Sequence, residues 1–284
     1  MIDLHAHTTA SDGRSTPREL VDRARAVGVT TLAVTDHDTM AAVPETAALA
    51  AAAGLGFVPG IEITSVSRGK DAHVLGYFLT PDAPGLSELI TDQRRRRVER
   101  AREIGQRLEQ MGAPIDVDAL LATAGERSGK AIARPQIAQA LIAAGHVATV
   151  AEAFDRFLGE TCAAYVPHTG ASPAEVVRLI AAGGGIASLA HPGHLKQDDV
   201  IPELVEAGMA ALEVYHSSHD EPATAHYLQI ARRHSLAVTG GSDYHGEGVR
   251  RAEFFGVVHL PEDEFVGFLR RAGRERGQLP AVHA

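Results

Sequence analysis

The chain has 284 residues, of which 45% are hydrophobic and 22% are charged, so it can bury a substantial apolar core. These values exclude an intrinsically disordered protein and a disulfide-dense mini-protein. The net charge of -9 argues against broad electrostatic attraction to nucleic acid or to anionic lipid surfaces. Because Cys162 is the single cysteine, we expect a reducing, cytoplasmic environment, and any metal ion must be bound by nitrogen and oxygen atoms.

The sequence predicts neither a targeting segment nor a membrane span. Residues 1–7 lack the basic region, apolar stretch and cleavage site of a secretory signal. The most apolar stretch, residues 40–61, is interrupted by prolines, glycines and Glu45, whereas a membrane helix needs about 20 predominantly apolar residues in a row. No membrane association is therefore expected, and the sequence indicates no protein partner.

Short apolar runs alternate with helical patterns along most of the chain. Strands are predicted over residues 2–4, 31–35, 57–63, 72–78, 185–189, 211–214 and 236–239, and helices over residues 16–27, 40–53, 173–182 and 221–233. This βα order is typical of parallel strands with helical crossovers, in an open sheet or in a barrel. Polar motifs follow most of the strands, where barrel active sites are built, and this favours an α/β barrel of seven strands.

Residues 86–165 have a different pattern, with apolar residues at helical spacing and no strand signal. We expect a small helical domain here, inserted into a barrel domain formed by residues 1–85 and 166–284. The four consecutive arginines at positions 94–97 are interpreted as a solvated helix face.

Several candidate metal ligands follow the first three predicted strands. His5 and His7 alternate along an extended backbone, so both imidazoles point to one side, although such a pair alone is a weak signal. Asp12 precedes a glycine and is equally typical of a turn. Asp38 or Thr39 is expected to cap the next helix, which leaves Asp36 and His37 available to a site. Glu62 lies in an apolar run, where a lone carboxylate is costly, so a bridging metal ligand is the expected use.

Four further donors lie at later strands, one at the start of the strand over residues 72–78 and three after strands, and each alone is more often a core or loop residue than a ligand. Together they make a set too large to ascribe to chance. The candidate metal ligands are His5, His7, Asp12, His37, Glu62, His73, His191, Asp243 and His245. Nine nitrogen and oxygen donors at the ends of successive strands are enough for two to three divalent ions.

These motifs, in this order, resemble those of the polymerase and histidinol phosphatase (PHP) family of metal-dependent phosphoesterases. The resemblance rests on the nine candidate ligands with their neighbours and spans residues 5–245. It implies a distorted seven-stranded barrel that holds three divalent ions, most often Mn²⁺, with Fe²⁺, Mg²⁺ or Zn²⁺ as alternatives. It also implies three ligand groups: His5, His7, Glu62 and Asp243; Glu62, His73 and His191; and Asp12, His37 and His245.

Within the family, the helical insertion and Arg134 resemble a branch that removes the 3′-phosphate from nucleoside 3′,5′-bisphosphates, such as adenosine 3′,5′-bisphosphate, and trims short 5′-phosphorylated RNA. The resemblance implies that the insertion caps the site and that Arg134 binds a phosphate. From the residues alone, Arg134 lies at the predicted start of a helix, where a guanidinium suits a phosphate, although an ordinary exposed arginine is equally consistent. Branch members often have histidine where this chain has Gln136.

The expected reaction is metal-dependent hydrolysis of a phosphomonoester, with Glu62 as a catalytic residue and the ions neutralising the phosphate oxygens. His194 and His219 are candidates to supply a proton to the leaving oxygen, and His194, His216 and His219 are also candidate substrate-binding residues. The partners expected are a small nucleotide and short RNA. Alternatives are a histidinol-phosphate phosphatase, a polymerase-linked proofreading module, a metal-dependent amidohydrolase and a non-catalytic metal-binding scaffold.

Overall fold

The structure is a computed structural model that describes residues 1–125, 134–248, 251–276 and 279. The chain forms two compact units, Met1–Ser87 with Ala171–Ala284, and Glu88–Gly170. Among the described residues, no helix is both long enough and apolar enough to span a bilayer.

The first unit contains one seven-stranded sheet within the described part of the chain. Its strands are β1 (Ile2–Asp3), β2 (Thr31–Val34), β3 (Gly56–Ser67), β4 (Lys70–Tyr77), β5 (Ile186–Leu189), β6 (Ala211–His216) and β7 (Ala237–Gly241), and their spatial order follows the chain. The N–H of Leu4 donates to the carbonyl of Gly240 at 3.0 Å, and the N–H of Asp243 donates to the carbonyl of His5 at 2.9 Å. These bonds link the first strand to the last, and the predicted barrel is confirmed.

Strand β4 runs antiparallel to both of its neighbours, β3 and β5. The expectation that helical crossovers join parallel strands throughout is therefore wrong at this point. Arg68 and Gly69 join β3 to β4 directly, and both have positive φ, 48° and 79°. A two-residue turn of this kind suits the twist of a hairpin and leaves no room for a crossover helix.

The helices are named in chain order. They are α1 (Pro17–Ala26), α2 (Val43–Ala52), α3 (Leu86–Gln110), α4 (Val117–Gly125), α5 (Arg134–Ala143), α6 (Val150–Ala153), α7 (Pro173–Ala182), α8 (Pro192–Leu195), α9 (Ile201–Glu206), α10 (Glu221–Arg233) and α11 (Glu262–Arg271). The sequence predicted α1, α2, α7 and α10 of the first unit, but not α8, α9 or α11. Helices α8 and α9 have four and six residues, which is too short for a helical period to be evident.

Local sequence sets the starts of two of these helices. Thr16 before α1 and Ser172 before α7 each accept a hydrogen bond from the backbone N–H three residues later, at Glu19 and Glu175. Each glutamate accepts in return from the backbone N–H of the capping residue. These capping boxes satisfy backbone donors that a helix start otherwise leaves unpaired.

The second unit has an apolar core of its own. Among the described residues, thirteen buried residues between positions 101 and 166 form this core, including Ile104, Leu108, Leu141 and Phe157. The final turn of α6 continues as a π-helical segment, Phe154–Leu158.

Candidate metal centre

The strands deliver the predicted ligands from several directions to one place. His5 and His7 follow β1, and Glu62 lies within β3. His37 follows β2 and pairs with Glu62 through an isolated backbone β-bridge. His73 lies within β4, His191 follows β5, and Asp243 and His245 follow β7. The structure therefore brings together donors that are up to 240 residues apart in the chain.

The Glu62 carboxylate lies among five imidazoles and is 1% exposed. Its Oε2 atom is 3.3 Å from Nε2 of both His5 and His7, and 3.2 Å from Nδ1 of His37. Its Oε1 atom is 2.9 Å from Nδ1 of His73 and 3.0 Å from Nε2 of His191. Each carboxylate oxygen thus faces a different set of histidines, as a carboxylate that bridges two ions must.

Four donor atoms form a compact group around Oε2. Nε2 of His5 and Nε2 of His7 each lie 3.3 Å from Oε2 of Glu62 and 3.3 Å from Oδ1 of Asp243. Metal–ligand bonds of about 2.0–2.2 Å place the atoms of a tetrahedral shell about 3.3–3.6 Å apart. The spacing of these four atoms therefore suits one divalent ion.

Three further groups adjoin the first, and one of them consists of His5, Glu213 and His216. His7, Asp12, His37 and His245 have donor atoms within 4.8 Å of one another, as do His37, Glu62 and His73. Asp12 Oδ1 is 3.3 Å from His245 Nε2 and 3.6 Å from His7 Nδ1. The family resemblance implies a group of Asp12, His37 and His245, and the structure adds His7 to it. The resemblance also implies a group of Glu62, His73 and His191, and in the structure His37 lies beside Glu62 and His73.

Several buried nitrogen atoms of this centre lack hydrogen-bond partners and are suited to binding metal ions. Both ring nitrogens of His7 and Nδ1 of His37 are buried without a hydrogen-bond partner in the described part of the chain. Burial lowers the pKa of His37 to about 4, which keeps its imidazole neutral and its lone pair available. Burial alone would raise the pKa of Glu62, but the facing histidines His37, His73 and His5 hold it well below its usual value. A buried carboxylate and unpaired imidazole nitrogens are what a metal site requires.

The acids that follow β2 have other roles than those expected. Asp36 accepts hydrogen bonds from the backbone and hydroxyl of Thr8 and from the hydroxyl of Ser11, each at 2.7 Å. Asp38 accepts from the backbone N–H of Thr64 at 3.0 Å. Helix α2 begins at Val43 without a side-chain cap, so the prediction that Asp38 or Thr39 caps it is wrong. Asp36 instead holds the loop that follows β1, and Asp38 ties the loop that follows β2 to the backbone of β3.

The three candidate histidines outside the ligand set have defined partners. His219 donates from Nδ1 to the carbonyl of Val214 at 2.8 Å, and its Nε2 accepts from the N–H of Gly193 at 3.2 Å. His216 places Nε2 3.4 Å from Oδ2 of Asp243. His194 has Nε2 2.9 Å from Nη2 of Arg251. His194 and His216 thus lie beside the metal centre, whereas both ring nitrogens of His219 are engaged by backbone.

Two residues at the centre were not assigned a role from the sequence. Glu213 is fully buried in β6 and contacts His5 and the backbone of His191. Arg251 donates to Asp243 at 2.9 Å. An acid inside the otherwise apolar run of β6 was a usable signal for Glu213, whereas nothing in the local sequence distinguishes Arg251 from the other arginines.

Arg134 lies at the first position of α5 in the helical unit. Its guanidinium donates to the carbonyl of Leu158 at 3.3 Å. It also lies over the rings of Phe154 and Tyr165, 5.7 Å and 5.4 Å from their centroids. The guanidinium is thus held by one hydrogen bond and two cation–π contacts.

Comparison with known proteins gives consistent matches. Residues 3–156 match the PHP domain. A Chromobacterium violaceum protein named 3′,5′-nucleoside bisphosphate phosphatase is 35% identical over 257 residues, covering 88% of this chain and 89% of that protein. The 5′-3′ exoribonuclease Rnm of Salmonella typhimurium is 34% identical, covering 86% of this chain and 85% of that one.

Another relative and a crystal structure extend the similarity. Phosphoribosyl 1,2-cyclic phosphate 1,2-diphosphodiesterase of Eggerthella lenta is 33% identical, covering 86% of this chain and 94% of that one. A Bifidobacterium adolescentis protein, assigned by prediction as a metal-dependent phosphoesterase, matches the fold with a TM-score of 0.81 and 34% identity, over 95% of this chain and 96% of that one. The domain match and these relatives span most of the chain, so the chain belongs to the PHP family, as its motifs predicted.

Proposed function

We propose that this protein is a metal-dependent phosphoesterase that hydrolyses the 3′-phosphate of nucleoside 3′,5′-bisphosphates and trims short 5′-phosphorylated RNA. The observation that carries the proposal is the Glu62 carboxylate, whose two oxygens face five imidazoles at 2.9 to 3.3 Å. Relatives at 34 to 35% identity named as a bisphosphate phosphatase and an exoribonuclease support the substrate class. We also propose a cytoplasmic location, because the chain has a single cysteine.

The nine predicted ligands would hold two to three divalent ions, and we propose Mn²⁺ because the family resemblance implies it. A donor set of imidazole and carboxylate without thiolate is compatible with this ion. Such ions supply an activated water and neutralise phosphate oxygens, which allows an acidic protein to bind an anionic substrate. Glu62 belongs to the donor groups on both sides of the centre, because its two oxygens face different histidines. Asp243 presents Oδ1 to His5 and His7, while Oδ2 holds Arg251 beside the centre.

The remaining side chains are proposed to orient the substrate. Arg251 and His194 form a hydrogen-bonded pair beside Asp243, where a guanidinium can donate to a phosphate oxygen. Arg134, whose guanidinium is held by Leu158 and two aromatic rings, is proposed to bind the 5′-phosphate that is not cleaved. His216 is proposed as a further substrate contact. His194 is proposed as a substrate contact and not as the proton donor to the leaving oxygen, because burial lowers the pKa of its imidazole to about 3 and its Nε2 atom accepts a hydrogen bond from Arg251. His219 is not proposed as the donor either, because both of its ring nitrogens contact backbone.

The test is a steady-state comparison of substrates with the Mn²⁺-reconstituted protein. Adenosine 3′,5′-bisphosphate, histidinol phosphate and a short 5′-phosphorylated RNA would be assayed for phosphate or nucleotide release. We expect the bisphosphate to be converted to AMP and phosphate with the highest kcat/KM. A preference for histidinol phosphate would assign the protein to a different branch of the family, and metal binding without turnover would favour a non-catalytic scaffold.

A second candidate is hydrolysis of a cyclic phosphodiester on a sugar. The Eggerthella lenta relative, which carries such a name, is 33% identical and covers 86% of this chain. Adding phosphoribosyl 1,2-cyclic phosphate to the same screen separates the two candidates, because its hydrolysis begins at a diester and the bisphosphate has only monoesters.

A further inference from the structure

The carboxylate of Glu213 contacts two different predicted metal ligands. Glu213 lies in β6 and is 0% exposed. Its Oε1 atom is 2.8 Å from Nδ1 of His5, and its Oε2 atom accepts the backbone N–H of His191 at 2.6 Å. Glu213 itself belongs to none of the three ligand groups that the sequence predicted.

The contact with His5 determines which ring nitrogen faces the centre. A carboxylate accepts hydrogen bonds, so Nδ1 of His5 must carry the proton when it contacts Glu213. In the neutral imidazole the other nitrogen, Nε2, then carries the lone pair that can bind an ion, and it is this atom that lies 3.3 Å from both Glu62 and Asp243. Glu213 therefore selects the tautomer of His5 that can bind an ion.

The contact with His191 holds an unusual backbone conformation. His191 has φ 28° and ψ 59°, in a region that residues other than glycine rarely adopt. The hydrogen bond from its N–H to Glu213 stabilises this conformation, and from it the imidazole reaches Glu62 with Nε2 3.0 Å from Oε1. His5 and His191 lie on opposite oxygens of Glu62, so one carboxylate in β6 holds ligands on both sides of the centre.

We propose that Glu213 is a positioning residue that holds His5 and His191 in the tautomer and conformation required to bind two different ions. This inference rests on the proposed metal centre. Removing the Glu213 carboxylate should weaken metal binding without removing any ligand.

Glu213→Gln is the informative change, because glutamine keeps the shape of the side chain but has only one accepting oxygen. If that oxygen faces His5, the amide N–H₂ group meets the N–H of His191 and displaces its backbone. If it faces His191, His5 must place its proton on Nε2, which removes the lone pair that faces Glu62 and Asp243. One ligand is impaired in either arrangement.

The experiment compares wild type, Glu213→Gln and Ser188→Ala after removal of metal with a chelator. Ser188 is fully buried in β5, next to β6, and its hydroxyl is 2.8 Å from that of Thr239, so Ser188→Ala disturbs the same barrel without touching a predicted ligand. Titration with Mn²⁺ should show binding that is about 10- to 100-fold weaker in Glu213→Gln. Ser188→Ala should keep wild-type Mn²⁺ affinity even though its metal-free form melts at a lower temperature.

Wild-type Mn²⁺ affinity and stoichiometry in Glu213→Gln would overturn the inference and leave the proposed function intact. Failure of the wild-type protein to bind Mn²⁺ would overturn the proposed metal centre and the inference with it. If Glu213→Gln does not fold, ¹⁵N NMR of histidine-labelled wild type loaded with diamagnetic Zn²⁺ gives the answer. His5, assigned by its absence in His5→Asn, should carry its proton on Nδ1, and a proton on Nε2 would overturn the inference.

Discussion

The two carboxylate oxygens of Asp243 contact different groups: Oδ2 contacts Arg251, and Oδ1 faces two predicted metal ligands. Nη1 of Arg251 lies 2.9 Å from Oδ2 of Asp243, while Oδ1 lies 3.3 Å from Nε2 of both His5 and His7. The Arg251 side chain is 14% exposed, so the pair is shielded from solvent while some of the guanidinium remains accessible. This arrangement places a positive charge beside the proposed position of the substrate phosphate.

Arg251→Ala should therefore lower kcat/KM for adenosine 3′,5′-bisphosphate. Loss of a charge-assisted contact of about 1.5–3 kcal/mol corresponds to about a 10- to 150-fold decrease. The measurement is steady-state kinetics on protein with its metal content verified by elemental analysis. Arg270→Ala removes an exposed arginine from α11 and serves as the charge-matched control, with unchanged kinetics expected. Equal kinetics for wild type and Arg251→Ala would show that Arg251 is structural.

Glu62→Gln should remove the charge shared by the donor groups on both sides of the centre. We expect wild type to carry two to three divalent ions per chain after reconstitution with Mn²⁺, and Glu62→Gln to carry fewer. The kcat should fall by at least about 100-fold while the circular dichroism spectrum is retained. Glu45→Gln, an exposed glutamate of α2, is the control. Near-normal turnover by Glu62→Gln, or less than one ion per chain in wild type, would contradict the multinuclear centre.

Arg134→Ala should separate the two phosphates of the substrate. Because the proposed partner of Arg134 is the uncleaved 5′-phosphate, kcat/KM for adenosine 3′,5′-bisphosphate should fall by about 10- to 150-fold, which corresponds to about 1.5–3 kcal/mol. Activity on adenosine 3′-monophosphate should barely change, since this substrate lacks the second phosphate. Equal losses on both substrates would mean that Arg134 serves the cleaved phosphate or the fold of the helical unit.

The capping box at the start of α7 should make stability depend on pH. The backbone N–H and hydroxyl of Ser172 donate to Glu175 and hold the pKa of its carboxyl below the usual value. Because the pKa is lower in the folded state, this stabilisation is present above the ordinary glutamate pKa of about 4.3 and is lost as pH falls through the folded-state value. Glu175→Gln should be less stable than wild type at pH 7, and the difference should shrink towards acid pH.

Urea unfolding of the metal-free proteins at several pH values checks this expectation. Ser172→Ala, which removes the cap itself, should cost about 1 kcal/mol at pH 7. Glu206→Gln, an exposed glutamate of α9, is the control for the loss of a surface charge. A destabilisation by Glu175→Gln that is constant across pH would mean that the ionised carboxylate does not contribute.

Much of the barrel could be predicted because the spacing of apolar residues within each strand or helix reflects which of its side chains are buried. The alternation of apolar runs and helical patterns located all seven strands, and the helix starts predicted at residues 16 and 173 lie within one residue of the observed starts of α1 and α7. The direction of β4 was not predictable in this way, because hydrophobic periodicity is the same for a strand in either direction. The direction of β4 depends on the tight turn at Arg68 and Gly69, which returns the chain antiparallel to β3.

The candidate site follows the same division. The sequence by itself determined which donors the chain has and that most of them end strands, since His5, Glu62 and Asp243 stand directly in or after apolar runs. Only the tertiary structure decided which atoms meet: the two oxygens of Glu62 on separate sets of histidines, Glu213 on His5, and Arg251 on Asp243. The reason is that a strand's residue pattern fixes only the side of the sheet on which a donor lies. The pairing of donor atoms depends on the register and closure of strands that are distant in the chain.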